Sequence, residues 1–246
     1  IIVAAAFLLA GVVKGVIGIG LPTTAITIMT FFISPLMALG LNLIPMTVTN
    51  IWQFSKADNP KKIVANYKYF AITLVICILI TSFYANQIGN NVIRIIFACA
   101  VLLFVSVNFF GFNFKMNPKH DVFWQSSLGT LGGIFGGAAS IWAVPVTMYL
   151  LMKNVKPKHF VDVSGFLITI GCIPVSFGYI ATGVFQPNMF IYGALGSVTA
   201  IIRLHFREKL RNKINAKTFK NLLLIFFSIA ALKMIIQSLI EFKVLF

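Results

Sequence analysis

The stretch Gly129 to Pro145, GTLGGIFGGAASIWAVP, constrains this chain most, because it sets five glycines and a proline among 31 residues, 122 to 152, that carry no charge. Glycine costs about 1 kcal/mol and proline about 3 kcal/mol in a helix interior, so a helix here is interrupted by its own composition. An uncharged run of this length belongs in a bilayer, where every backbone polar group needs a partner. The break must be shielded by neighbouring protein or line a cavity, and cavities inside membrane proteins are where transport sites are built. A second copy lies near the start of the chain. Gly15, Gly18 and Thr27 stand 118 residues before Gly133, Gly136 and Pro145, and Pro35 answers Pro157 after a slip to 122. A displacement near half of 246 residues reads as internal duplication.

Hydrophobic residues make up 59% of the chain and charged residues 10%, against roughly 25% charged in a soluble domain. This is the composition of an integral membrane protein. The net charge of +15 sits in short clusters between apolar runs, which is the positive-inside pattern. A nucleic-acid binder needs a continuous basic stripe on a soluble core, so no nucleic-acid partner is expected. Cys77, Cys99 and Cys172 fall inside apolar runs, and His120, His159 and His205 lie near loops and far apart. Neither set has metal-ligand spacing, so no metal or cofactor is expected. The first residues lack a basic leader region and read as a membrane segment rather than a signal peptide.

Segments 36–53, 69–85, 92–111, 160–182, 189–203 and 221–240 read as spans. The charge rule places the basic loops 54–68 and 203–220 in the cytoplasm. Counting residues 122–152 as one crossing puts both the basic turn at Lys153 and the loop after Arg203 outside. A re-entrant or broken hairpin returns both to the cytoplasm. Arms of about 15 residues are too short to cross roughly 30 Å of hydrocarbon as helix. The expected fold is therefore all-α and polytopic, with inverted repeats at residues 1–113 and 114–246. Each repeat is a glycine-broken or re-entrant helix pair plus three transmembrane helices, and an odd number of crossings turns the second copy over. Eight tilted full crossings are the alternative.

The segments Lys14 to Pro22, KGVIGIGLP, and Pro45 to Gln53, PMTVTNIWQ, resemble the TauE/SafE family of small membrane permeases. The resemblance runs on through Gly132 to Pro145, through IPVSFGYIATG at Ile173 to Gly183, and through the last helix at Phe219 to Lys233. Thr27 stands where the family commonly has a second proline, while Pro145 is kept. The resemblance implies transport of sulfite, sulfoacetate or related organosulfur anions, and it supports anion transport more strongly than any one anion.

The residues themselves give candidates for substrate binding. Lys14 directly precedes the first glycine motif, where Gly15, Gly18 and Gly20 open helix ends whose free N–H groups attract anions. The competing reading is a lysine near a membrane face with its stem extended to water. Lys233 lies 12 residues past the basic loop, about 18 Å deep, and no acid falls inside an apolar run to pair with it. Asn42, Thr49 and Gln53 share a helix face with Asn50 beside them, and Ser164 is a thinner counterpart in the other half. Such donors suit an oxyanion, or they join helices to one another. Gly133, Gly136, Gly137 and Ser140 complete the set: the glycines serve a ligand or a close helix crossing, and Ser140 with Trp142 sits where a backbone anion nest can form. Asp121 and Asp162 flank the second hairpin as caps, salt-bridge partners or proton carriers.

No Walker motif, nucleophile elbow or intramembrane acid pair is present, so no enzyme activity is expected. The reading is a secondary transporter, an exporter of a small oxyanion such as sulfite or an organosulfonate, in the plasma membrane. Membrane lipids surround it, and homo-oligomerisation is left open. An anion channel or a non-transporting scaffold is the alternative.

Overall fold

A computed structural model describes residues 2–17, 20–109, 116–205 and 216–244. Among these residues all regular structure is helical. Gly18 and most of the basic loop 203–220, at 206–215, lie outside the described residues.

Two helix pairs are broken where the glycines predict. The first comprises α1 (Ile2–Ile17) and α2 (Leu21–Met29), and the second α7 (Asp121–Ala139) and α8 (Ala143–Met152). Gly20 caps α2 at φ 97°, a left-handed conformation open to glycine without steric cost. Ser140 ends α7 at φ 55°, donating its amide to Gly136 O while Ile141 N donates to Phe135 O. Both amides at that turn are thus engaged by α7 itself, so they do not form the anion nest that the sequence allows. The arms are unequal, 16 and 9 residues in the first pair and 19 and 10 in the second, rather than about 15 each.

The second pair is a hairpin whose ends meet. Lys153, just after α8, binds Asp121 at the start of α7 at 2.8 Å, and Met116 N donates to Met152 O. The two ends of the uncharged stretch therefore lie side by side. Ile17 and Ala139, Leu21 and Ala143, and Pro35 and Pro157 are each 122 residues apart. The helix boundaries thus recur at 122 residues, whereas the glycines recur at 118; at the spacing of the boundaries Gly136 stands opposite Lys14.

The other α-helices of the described residues are α3 (Pro35–Phe54), α4 (Pro60–Asn66) with α5 (Lys68–Tyr84), α6 (Asn90–Phe109), α9 (Pro157–Ala181), α10 (Met189–His205) and α11 (Ala216–Val244). Among the described residues three stretches are long and apolar enough to cross a membrane, Asn90–Val107, Pro157–Ala181 and Asn221–Glu241. The pair α4 and α5, bent by 74°, adds a fourth if it is one span. α3 falls short through its polar series, and α10 is apolar only over Met189–Ile202.

α3 and α9 cross at the centre, and α6 packs on α11. α1 packs on α2 and α10, α7 on α8 and α5, while α5 also meets α9 and α10 meets α3. Trp142, Tyr149 and Tyr179 are fully buried in the shared core, whereas Ile72, Ile76, Ile191, Leu195, Ile229 and Ile236 are exposed on outer helices. Large apolar side chains facing out around a packed interior match a lipid-facing surface.

Charge is concentrated at one end. There Asp58 pairs with Lys158, the Tyr67 hydroxyl meets His159 at 3.3 Å, and Lys153 pairs with Asp121. Asp121 lies just outside the uncharged stretch. Burial pushes its carboxyl up, but hydrogen bonds from Lys153, Tyr149 and Gln125 outweigh this and hold it below the usual carboxylate range. At the opposite end Leu36 N bonds Asn90, Asn86 bonds Thr182 O, and Arg94 pairs with Glu241 at 2.6 Å.

Candidate functional site

Lys14 occupies the last turn of α1, directly before the first break, and is 3% exposed. Its ammonium donates to Asn50 Oδ1 at 2.6 Å and to Thr49 Oγ1 at 3.3 Å. Both acceptors are held from behind by α3: the Asn50 amide donates to Met46 O at 2.7 Å and the Thr49 hydroxyl to Pro45 O at 2.7 Å. Asn50 must therefore present its carbonyl, and Thr49 its lone pairs, to Lys14. None of the ion pairs among the described residues, Arg94–Glu241, Lys153–Asp121 and Lys158–Asp58, includes Lys14. The buried lysine is thus held by neutral acceptors alone, and whenever it is protonated its charge has no counter-ion among the described residues.

The second break reaches the same level of α9. Trp142, 1% exposed, lies against Gly171, where an added Cβ would stand 2.9 Å from the indole Nε1. The next residue, Cys172, is buried as well. The second break therefore packs on Gly171 of α9, while the first meets α3 through Lys14. The Trp142 indole N–H is buried without a partner, as are the hydroxyls of Thr24, Thr27 and Thr169 and the side-chain oxygen of Asn42. Buried polar atoms in folded proteins nearly always have partners, so such a group signals a ligand or water.

The remaining candidates separate. Asn42 is fully buried one face up α3, its amide directed at Met46 Sδ at 3.7 Å. Gln53 donates to Val161 O at 2.7 Å and to Ser164 Oγ at 3.4 Å, tying α3 to α9 nearer the charged end. Gly15 lies in the last turn of α1 and Gly20 at the cap of α2. Gly133 and Gly137 lie against α5: an added Cβ would strike Cys77 at the first and Thr81 and Ser82 at the second. Gly136 faces Ile78 and Trp142. These glycines permit a close helix crossing, which Thr81 reinforces by donating to Gly133 O at 2.9 Å. Ser140 Oγ lies 3.2 Å from Tyr179 Oη, and that phenol donates to Gly137 O at 3.0 Å, so the hairpin tip is tethered to α9.

Lys233 is not brought to the site. It stands 12 residues into the apolar stretch Asn221–Glu241, about 18 Å along it and close to its middle, the depth the sequence predicts. Its side chain is exposed, with the ammonium 4.0 Å from the centre of the Phe31 ring. The outward direction of the side chain, which depth alone does not fix, takes it away from Lys14. Tyr179, in contrast, is not marked by the sequence, since no local pattern shows which face of α9 meets the second break.

Among the described residues no cluster of His, Cys, Asp or Glu is arranged to hold a metal. The chain matches no curated protein and no solved structure. The family model described as sulfite exporter TauE/SafE matches residues 3–234. With that match spanning nearly all of a helical, apolar chain, the protein belongs to the TauE/SafE family of sulfite-exporter-type membrane transporters.

Proposed function

We propose that this protein is a secondary transporter that exports a small oxyanion, such as sulfite or an organosulfonate, by alternating access around the two helix breaks. One observation carries the reading: Lys14 is buried at a break with only Asn50 and Thr49 as partners. At the second break, the Trp142 N–H is left unpartnered. An anion supplies what both lack. A packing scaffold accounts for Gly133 and Gly137 but gives no reason for an uncompensated cation in the core.

The helix contacts support two inverted repeats, residues 1–113 and 114–246, forming one transport domain. α1 meets α10 as α7 meets α5, α3 meets α10 as α9 meets α5, and α3 with α9 and α6 with α11 pair across the centre. The charged end, including loop 54–68, is assigned to the cytoplasm by the positive-inside rule. In a plasma membrane, an inside-negative potential favours anion efflux by about 2.3 kcal/mol per charge at 100 mV.

The test is uptake of labelled sulfite, sulfate, thiosulfate and sulfoacetate into proteoliposomes under an imposed potential, with wild type and Lys14→Met compared. Saturable uptake lost in the variant is expected. Flux equal to empty liposomes for every anion, with folded protein correctly inserted, would exclude this substrate class.

A further inference from the structure

We infer that the site accepts one monovalent oxyanion at a time and discriminates against dianions such as sulfate. The inference rests on the transport reading and concerns the charge that this same site takes.

Lys14 is the one lysine or arginine among the buried residues of the described structure. Two of its three N–H groups are committed to Asn50 and Thr49, and the third remains for a ligand oxygen. The unpartnered buried donors of the described residues are neutral: the Trp142 indole N–H, which lies against Gly171, and the hydroxyls of Thr169, Thr24 and Thr27. The ion pairs of the described residues lie elsewhere, at the two ends of the molecule. A monoanion against Lys14 makes a neutral pair. A dianion leaves a net negative charge in the core, and because desolvation grows with the square of charge it gives up about four times the hydration of a monoanion. Neutral hydroxyl and indole donors offset part of that difference but not a full charge.

The measurement is thermal stabilisation of the purified full-length chain in detergent by methanesulfonate, sulfate and sulfite, at fixed ionic strength with chloride as control. Methanesulfonate is expected to half-saturate at a concentration at least about tenfold below that of sulfate. Sulfite is expected to bind more tightly on the acid side of neutrality, where it is singly charged, while methanesulfonate stays unchanged. Lys14→Met is expected to remove the stabilisation, and Lys14→Arg, which keeps the charge, to preserve the ranking. Sulfate binding as tightly as methanesulfonate, or sulfite binding more tightly as the dianion, overturns the charge rule while leaving an anion transporter in place. No stabilisation by any of the three, in folded wild type, overturns both readings.

Discussion

The two broken helix pairs share boundaries 122 residues apart, yet they carry different chemistry. The first presents a buried ammonium, Lys14, to Asn50 and Thr49 across a gap between helices. The second is uncharged from residue 122 to 152, packs Gly133 and Gly137 onto α5, and tethers its tip to α9 through Tyr179. In the position matching Lys14 it has Gly136, which receives the Trp142 ring. The two broken pairs thus do different work. One brings a lysine to the interior, and the other brings close packing and an indole donor. The difference is affordable physically because a lone buried cation needs neighbours that can turn polar atoms toward it, and α3 supplies them.

The strongest way to break the comparison is at its two extremes. Lys14→Met is expected to reduce kcat/KM for anion uptake by at least about 100-fold, roughly 3 kcal/mol of lost anion stabilisation. Proteoliposome flux reads it, and undiminished flux would move the charge of the site elsewhere. Gly137→Val should act on folding instead. Its side chain meets Thr81 and the Ser82 backbone of α5, so a loss of about 1–3 kcal/mol is expected. This appears as a lowered detergent Tm and poor recovery, and a normal Tm would show that α5 and α7 separate easily.

Smaller changes sharpen the contrast. Tyr179→Phe removes the phenol that bonds Gly137 O and Ser140 Oγ. A cost of about 1–3 kcal/mol in stability is expected from the buried carbonyl left behind, with the half-saturating anion concentration unchanged. A shift in that concentration would place Tyr179 in the binding site. Lys233→Ala is expected to have the least effect, leaving uptake within about twofold, because its exposed ammonium interacts with Phe31 for only about 0.5–1 kcal/mol. A loss comparable to that of Lys14→Met would show that α11 moves its lysine inward during the cycle.

Much of the architecture is written in local chemistry. The breaks at Gly20 and near Ser140 follow from helix propensity, and the helix starts at Pro35 and Pro157 follow from the fixed φ of proline. The burial of Asn42, Thr49, Asn50 and Gln53 follows from their spacing on α3. Membrane residence follows from apolar runs that cannot be covered in water.

Partnership is what only the tertiary structure decided. Lys14 and Lys233 look alike as solitary lysines in apolar runs, but one meets Asn50 from another helix and the other lies over Phe31 at the periphery. The glycines of α7 look like a ligand cradle until α5 is seen against them. Trp142 has no local signature either, and its unpaired N–H against Gly171 depends on the second break packing on α9. Helix propensity, spacing and hydropathy act within a few residues and so can be read along the chain. Which cation is enclosed and which donor is left unpaired depends on side chains dozens of residues apart, and only packing brings those together.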